Sequence, residues 1–393
     1  MSYTNAKLSD GTLYLALIGR VDSTNAAAVE QEINACIEAN EYEELVLDAD
    51  KLEYISSAGL RIILRLLKAN PTLKMINASS EVYDILDMTG FAEMMTVEKA
   101  YRKLSVDGCE VIGQGANGKV YRLDPDTIIK VYMNADALPD IHRERELARR
   151  AFVLGIPTAI PYDVVKVGES YGSVFELLNA KSFAKLVDEN PADFQHYVDL
   201  SVELLKKIHA TEVQPEDMPD MRDVAIDWVR FLQPYLPAAT WEKLLSMVEA
   251  VPVQHNMLHG DYHVKNVMLQ NGEVLLIDMD TLCQGHPIFE LASVFNAYVG
   301  YRTVDPVGAA NFLGMPADVT ELFWTKTLEG YLGSSDPAVT SPVEKKAMLI
   351  GYARMMRRYI RRHALESDEG RAMIALCKET IIRLTDEVDS LVF

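Results

Sequence analysis

Hydrophobic and polar positions along the first hundred residues alternate between two rhythms. The runs "TLYLALIGRVD", "ELVLDA" and "LKMINAS" read as β-strands. Between them, "NAAAVEQEINACIEAN" and "SAGLRIILRLLKAN" carry apolar positions at helical spacing. In the second helix Leu60, Ile63, Leu64 and Leu67 are predicted to face inward, with Arg61, Arg65 and Lys68 on the wet side. Strands alternating with helices predict a small α/β domain ending near "TGFAEMMTVEKA". Strand-like segments return at "CEVI", "KVYRL" and "TIIKVY", followed by the helical stretch "IHRERELARRAFVLGIPT". Beyond "LASVFNAYV" the pattern is helical, with "GSSDPAVTSP" expected as a loop inside it. One late helix, "YARMMRRYIRRHAL", sets Arg354, Arg357, Arg358, Arg361 and Arg362 on one face. Tyr352, Met355, Met356, Tyr359 and Ile360 take the other.

Length and charge narrow the class of molecule. A chain of 393 residues has room for two or three domains, each with its own core. Hydrophobic residues at 49% and charged residues at 24% are ordinary for a soluble protein. The net charge of -20 argues against nucleic acid or an acidic membrane as partner, because phosphates are repelled. It is compatible with a cationic substrate. Cys36, Cys109, Cys283 and Cys377 are scattered, which predicts a reduced, cytoplasmic protein without a disulfide framework or a cysteine zinc site. The start "MSYTNAKLSDGTLYL" lacks the pattern of a signal peptide, and "GLRIILRLL" is too short and too basic to span a bilayer.

Three separated segments, "GRVDSTNA", "LVLDADKLEY" and "YISSAGLRIIL", agree in order with one family. Together they resemble a STAS domain, the fold of bacterial anti-sigma-factor antagonists, over residues 1–102. The resemblance implies a regulatory or protein-binding module. It also implies a phosphorylation candidate, Ser57, with Asp22 as an acidic neighbour. Many switchable members place an aspartate before that serine, and this chain has Ser56 there. A phosphate at a helix N-terminus meets free N–H groups and the positive end of the dipole. The alternative role for Ser57 is that of a plain N-cap.

The stretch "VIGQGANGKVYRLDPDTIIKVY" holds Gly113, Gly115 and Gly118 as GxGxxG, followed by Val120 and then Lys130. Because "KVYRL" is β-prone, the glycines join two strands rather than open a helix, which suits a flap over nucleotide phosphates. Further on, "LHGDYHVKNVML" supplies His259, Asp261 and Asn266, and "VLLIDMD" supplies Asp278. Phosphoryl transfer needs one carboxylate for the attacking hydroxyl, and an amide and a second carboxylate for magnesium. The ordered set resembles the aminoglycoside phosphotransferase and choline kinase family. That family implies an α+β bilobal protein kinase-like fold over residues 103–393, with an N-lobe of about 103–178 and a helical C-lobe of about 179–393.

Residue roles follow from this resemblance. Lys130 is expected on the α/β-phosphates of ATP, held by Glu144, with Glu146 as the alternative one helical register away. Asp261 is expected as the base or hydroxyl-orienting residue, and Asn266 and Asp278 as ligands of Mg2+. "SVFELLNA" is expected as the hinge, where backbone at Glu176 and Leu178 reads the adenine. Glu290, in "GHPIFELA", stands where aspartate is more usual and would brace the catalytic loop. His255, His259 and His263 recur every fourth residue, but a loop that is not helical does not converge them on zinc. Within the arginine stripe, Arg358 and Arg361 are the substrate candidates for an anionic group, against plain pairing with carboxylates such as those of "ESDEG". The tail "TDEVDSLVF" offers carboxylates for a polycationic antibiotic.

These residues lead to a Mg·ATP-dependent phosphotransferase acting on a hydroxyl, or an amine, of a small molecule, with a possible protein partner through the STAS module. Two other readings stay open: a protein kinase acting on a STAS serine, and a signalling scaffold that senses ATP without turnover.

Overall fold

Strand β2 (Thr12–Val21) alternates buried leucines with half-exposed residues, and Leu13, Leu15 and Leu17 are almost wholly inside. The structure, a computed structural model, describes residues 2–114, 118–134, 137–306 and 312–393. It divides into two units, Met1–Ser105 and Val106–Phe393. In the first, β1 (Thr4–Ser9), β2, β3 (Glu44–Ile55), β4 (Lys74–Ala78) and β5 (Thr96–Lys99) lie in that order in one sheet. β1 and β2 pair antiparallel across the turn at Asp10 and Gly11, both at positive φ, which a two-residue hairpin requires. The remaining pairs are parallel and need crossovers. Helices α1 (Ala26–Glu38), α2 (Ser57–Ala69) and α3 (Ser80–Met88) supply them.

Helix α2 buries a wider stripe than expected. Leu60, Ile62, Ile63, Leu66 and Leu67 are inside, while Leu64 is only half-buried. A helix covering a sheet needs an apolar stripe broader than one narrow seam, and Ile62 and Leu66 complete it. A Cβ on Gly59 would stand 2.6 Å from Ile55 Cγ1 and 2.9 Å from Val21 Cγ1, so glycine lets the helix start against the strand ends. The N-cap is Ser56, whose Oγ accepts the Ala58 N–H at 3.2 Å; Ser57 is the first helical residue instead.

In the second unit β6 (Glu110–Gln114), β7 (Gly118–Arg122), β8 (Thr127–Tyr132), β9 (Pro161–Val167) and β10 (Ser170–Glu176) form an antiparallel sheet in the order β9-β10-β8-β7-β6. Helix α4 (Leu138–Val153) interrupts it in sequence and buries Ile141, Leu147, Ala148 and Ala151. The rest is mostly helical: α5 (Phe183–Glu189), α6 (Phe194–Ala210), α7 (Met221–Phe231), α8 (Ala238–Glu249), α9 (Ile288–Phe295), α10 (Ala317–Leu332), α11 (Pro337–Arg361) and α12 (Asp368–Glu387). All eight positions of α9 are buried, the polar Glu290 and Ser293 included.

The stretch "GSSDPAVTSP" is not a loop throughout. Asp336 caps α11 by accepting the Ala338 N–H, and Pro337 takes the first helical position, where its missing N–H costs nothing. Only Gly333 to Asp336 connects the two helices. Among the described residues no helix is long and apolar enough to cross a membrane.

Short strands position the site. β11 (Met257–Leu258) pairs with β14 (Cys283–Gln284), and β12 (Val267–Gln270) forms a hairpin with β13 (Glu273–Leu276). The loop between β11 and β12 carries Asp261, and the segment between β13 and β14 carries Asp278. Pairing at both ends holds these two connections side by side.

Candidate active site

Strand β8 sets Lys130 opposite Val120 on β7 and Ser173 on β10, so the lysine and the valine share a sheet face. Lys130 Nζ donates to Glu144 Oε1 and Oε2 at 2.9 and 3.0 Å and to Asp278 Oδ1 at 3.4 Å. Burial opposes the ammonium, yet the Glu144 and Asp278 carboxylates hold its pKa above the ordinary value. The Tyr132 hydroxyl also donates to Glu144. Glu146 instead pairs with Arg149 and Arg150, so the helix register selects Glu144 as the partner of Lys130. Two positions along a helix point to nearly opposite sides, which is why only one can reach β8.

Asp261 follows Gly260, whose φ is +82° and whose missing Cβ would meet the Thr281 carbonyl oxygen at 2.4 Å. Glu290 braces this turn from α9, accepting the backbone N–H groups of His259 and Gly260. The Gly260 carbonyl accepts from Ser293 Oγ at 2.9 Å and from Arg354 Nη1 at 3.2 Å. His259 Nε2 lies 3.1 Å from the Ile277 carbonyl, tying the loop to the Asp278 segment. Burial works against the Asp261 carboxylate, but His263, 3.5 Å away, with His259 and Arg354, brings its pKa down to about 2. The three histidines each have separate partners, His255 with Gln284 and His263 with Asp261.

Asn266 donates Nδ2 to the Asp261 carbonyl at 2.9 Å, which leaves Oδ1 as the acceptor end of an amide lining the cleft. Asp278 adopts the left-handed conformation, φ 65° and ψ 66°, uncommon for a residue with a side chain. Two residues on, Asp280 is pushed up to about 7 by burial and by the Asp278 charge, with Lys130 opposing and Glu144 and Asp261 adding to the rise. Lys130 therefore stands among more carboxylates than it can neutralise. Few protein oxygens plus substrate oxygens are the donor set that suits magnesium. Among the described residues no three His, Cys, Asp or Glu form a closed metal cage.

Lys130, Glu144, Asn266, Asp278 and Asp280 line one cleft of about 450 Å3, together with Gly113, Gly118, Glu176 and Leu178, while Asp261 lies outside this lining. Its apolar wall comes from Val120, Ile128, Phe175, Met268 and Ile277. Gly115 lies outside the described residues. A Cβ at Gly118 would meet the Val131 carbonyl oxygen at 2.3 Å, so strand packing alone demands that glycine. Gly113 has only ordinary contacts at its Cβ position. The Leu177 N–H donates to the Asp126 carbonyl and the Glu176 N–H to the Ile160 carbonyl, fixing the hinge strand.

The arginine stripe divides by turn. Arg358 Nη1 donates to the Tyr301 hydroxyl at 3.1 Å, and Arg361 is exposed; neither lines the cleft. Arg354, one turn earlier, is the member that reaches the Asp261 loop. The tail carboxylates are engaged elsewhere, Glu387 with Lys345 and Arg383 and Asp389 with Lys243. Asp280 is a site residue that pattern reading passed over, and Arg354 was placed in the stripe without being singled out. The acidic repeat "DMD" was the available signal for the first.

In the N-terminal unit, Ser57 is exposed at the start of α2. The Ser56 N–H donates to the Val21 carbonyl at 2.9 Å, which brings Asp22 beside the helix start. Hydrogen bonds from Thr24 lower the Asp22 pKa.

Comparison with known proteins agrees with this layout. The model of the phosphotransferase enzyme family matches residues 108–317, and that of the STAS domain matches residues 3–104. A Bordetella bronchiseptica protein named as an anti-sigma factor antagonist, BtrV, is 35% identical over 92 residues, covering 22% of this chain and 78% of its own. Among solved structures, a thermostable mutant of aminoglycoside phosphotransferase APH(4)-Ia in complex with AMP-PNP and hygromycin B has a TM-score of 0.50 at 14% identity, covering 71% of this chain and 93% of that one. The streptomycin–ATP complex of APH(2")-IIa has a TM-score of 0.49 at 14% identity, covering 80% and 98%. At such identity the likeness to the first of these is one of fold.

Proposed function

The chain belongs to the phosphotransferase enzyme family, with a STAS domain preceding the phosphotransferase domain, and from that premise we propose an ATP-dependent kinase that phosphorylates a hydroxyl group of a small molecule. The observation that carries this reading is the meeting of Lys130, Glu144 and Asp278 in the one cleft that Asn266 also lines, beside the braced Asp261. Val120, Ile128 and Ile277 offer the apolar slot an adenine needs, with the hinge backbone at Glu176 and Leu178 along its edge. Lys130 takes the α/β-phosphates, and Glu144 keeps its ammonium aimed at them. Gly113 and Gly118 belong to the flap over the phosphates.

Asn266 and Asp278 would hold a magnesium ion, which when bound offsets the charge of the phosphates. Asp261 faces the acceptor. Held near a pKa of about 2, its carboxylate is charged at neutral pH and only weakly basic. Its main task is to align the hydroxyl, taking the proton as the oxygen bonds to phosphorus.

The test pairs calorimetry of AMP-PNP with magnesium and ADP release over an acceptor screen. Asp261→Ala is expected to lose about 10²–10⁴-fold in turnover while AMP-PNP binding is unchanged. A wild-type protein that binds no nucleotide ends this reading.

A second acceptor is suggested by the exposed Ser57, the first residue of α2. Phosphate there would meet the helix N-terminus while facing the Asp22 charge, a basis for switching a protein partner. Incubation with Mg·ATP and mass spectrometry decides it: no phosphate on Ser57 of this chain or of an added STAS domain removes the idea.

A further inference from the structure

We propose that the acceptor is an anion with an aromatic or branched apolar body, seated in a second cavity of about 210 Å3 beside the Asp261 loop. This rests on the phosphotransferase reading above. Asp280 lines both this cavity and the nucleotide cleft, so the two spaces adjoin. Gly260 and Thr281 also line it, placing its inner end next to Asp261.

Most of the wall is apolar: Met221, Val224 and Trp228 from α7, Phe289 from α9, and Leu258 and Leu282. Such a wall desolvates a polar ligand at a cost and favours a ring or a branched chain. The charged residues on the wall are Arg143 from α4, Arg354 from α11, Glu290 from α9 and Asp280. Arg354 is held in a fixed pose: Nη1 donates to the Gly260 carbonyl and, at 2.8 Å, to Ser293 Oγ, and its guanidinium lies 5.4 Å from the Trp228 ring centroid. That pose leaves Nε and Nη2 for a ligand, and a planar fork suits carboxylate or phosphate. Among the described residues, Arg143 and Arg354 pair with no carboxylate. Both guanidinium charges reach Cys283 on the cavity wall.

The carboxylates nearby are occupied differently. Glu290 spends both oxygens on the His259 and Gly260 N–H groups. Asp280 is within electrostatic reach of Lys130 on the nucleotide side. The wall thus carries two arginines and two carboxylates, and it is the arginines that keep donors for a ligand, while Glu290 has its oxygens engaged.

Three probes that share a benzyl group and a hydroxyl test the class: 3-phenyllactate (anionic), 3-phenyl-1,2-propanediol (neutral) and phenylalaninol (cationic). Binding to the full-length protein with magnesium and AMP-PNP present is read by calorimetry. The expected order is phenyllactate, then diol, then phenylalaninol, with about tenfold between the first two. Arg143→Ala is expected to narrow that gap while leaving diol and AMP-PNP affinities as they were. Val224→Phe, which fills the cavity, is expected to weaken all three probes alike. Equal affinities, a preference for the amine, or an anion preference undiminished by Arg143→Ala overturns the charge class. AMP-PNP binding without any probe binding overturns the cavity as acceptor site. Failure of AMP-PNP itself to bind defeats the underlying phosphotransferase reading instead.

Discussion

On the strand side of the cleft, Lys130 depends chiefly on one helix carboxylate, Glu144, and on the partly exposed Asp278. On the opposite side, the turn before Asp261 is held by Glu290 below, by Ser293 and Arg354 at the Gly260 carbonyl, and by Thr281 at the His259 carbonyl. One side has a main tether that a shift of α4 would break; the other has several bonds that must fail together. The loop that aligns the acceptor is therefore formed before substrate arrives, whereas the lysine side can respond to what binds.

The most damaging way to break this contrast is Gly260→Ala. The residue has positive φ, and a Cβ would run into the Thr281 carbonyl, so neither backbone nor neighbour can yield cheaply. The expected cost exceeds about 3 kcal/mol, seen as loss of the folded second unit or of all turnover. A variant of normal activity and melting would show that the turn is not over-determined.

Glu290→Gln is milder. It keeps the volume but turns an amide NH2 toward backbone donors, leaving one of them unpaired in a fully buried place. Such a group costs about 1–3 kcal/mol, expected as about a 10²-fold fall in kcat with nucleotide affinity little changed. A rise in the ATP KM at constant kcat would instead place Glu290 on the nucleotide side.

Glu144→Gln sharpens the comparison from the tethered side. Lys130 would lose its nearer partner, with an expected rise of about tenfold in the ATP KM. Glu146→Gln, on a residue that among the described residues pairs with Arg149 and Arg150, is the control and should leave kinetics alone. Equal effects from the two variants would mean that the helix register of α4 changes on binding.

The same contrast explains how far pattern reading reaches. The family resemblance singles out Asp261, Asn266 and Asp278 by their order, along a chain that returns on itself through the β12–β13 hairpin. The α/β character of the first unit was equally legible, since strands and helices differ in period. What stayed hidden depends on contacts between distant segments. A helical wheel puts five arginines on one face of α11, but only packing against α9 and the Asp261 loop shows that Arg354, not Arg358 or Arg361, reaches Gly260. Ser56 rather than Ser57 caps α2 because Ser56 has the extended backbone that a cap requires, and that angle is not written in "SSAG". Similarly, "DPAVTSP" looks like a loop until Pro337 is seen at the one helical position that welcomes it.

The smallest effect concerns Asp280, where the two sides meet. Its pKa is about 7 in the folded protein against an ordinary 3.8, chiefly through burial and the Asp278 charge. Between about pH 4 and 7 the folded chain holds a proton that the unfolded chain has released. Stability without ligand therefore falls as pH rises through this window, and the full penalty persists above it. Asp280→Asn removes the titrating charge, so its advantage over the wild type should be absent near pH 4 and reach about 1 kcal/mol at pH 8. Urea midpoints of the second unit at the two pH values measure the difference. An advantage of the same size at both would mean that shape, not crowding of negative charge around Lys130, sets the strain at this corner of the cleft.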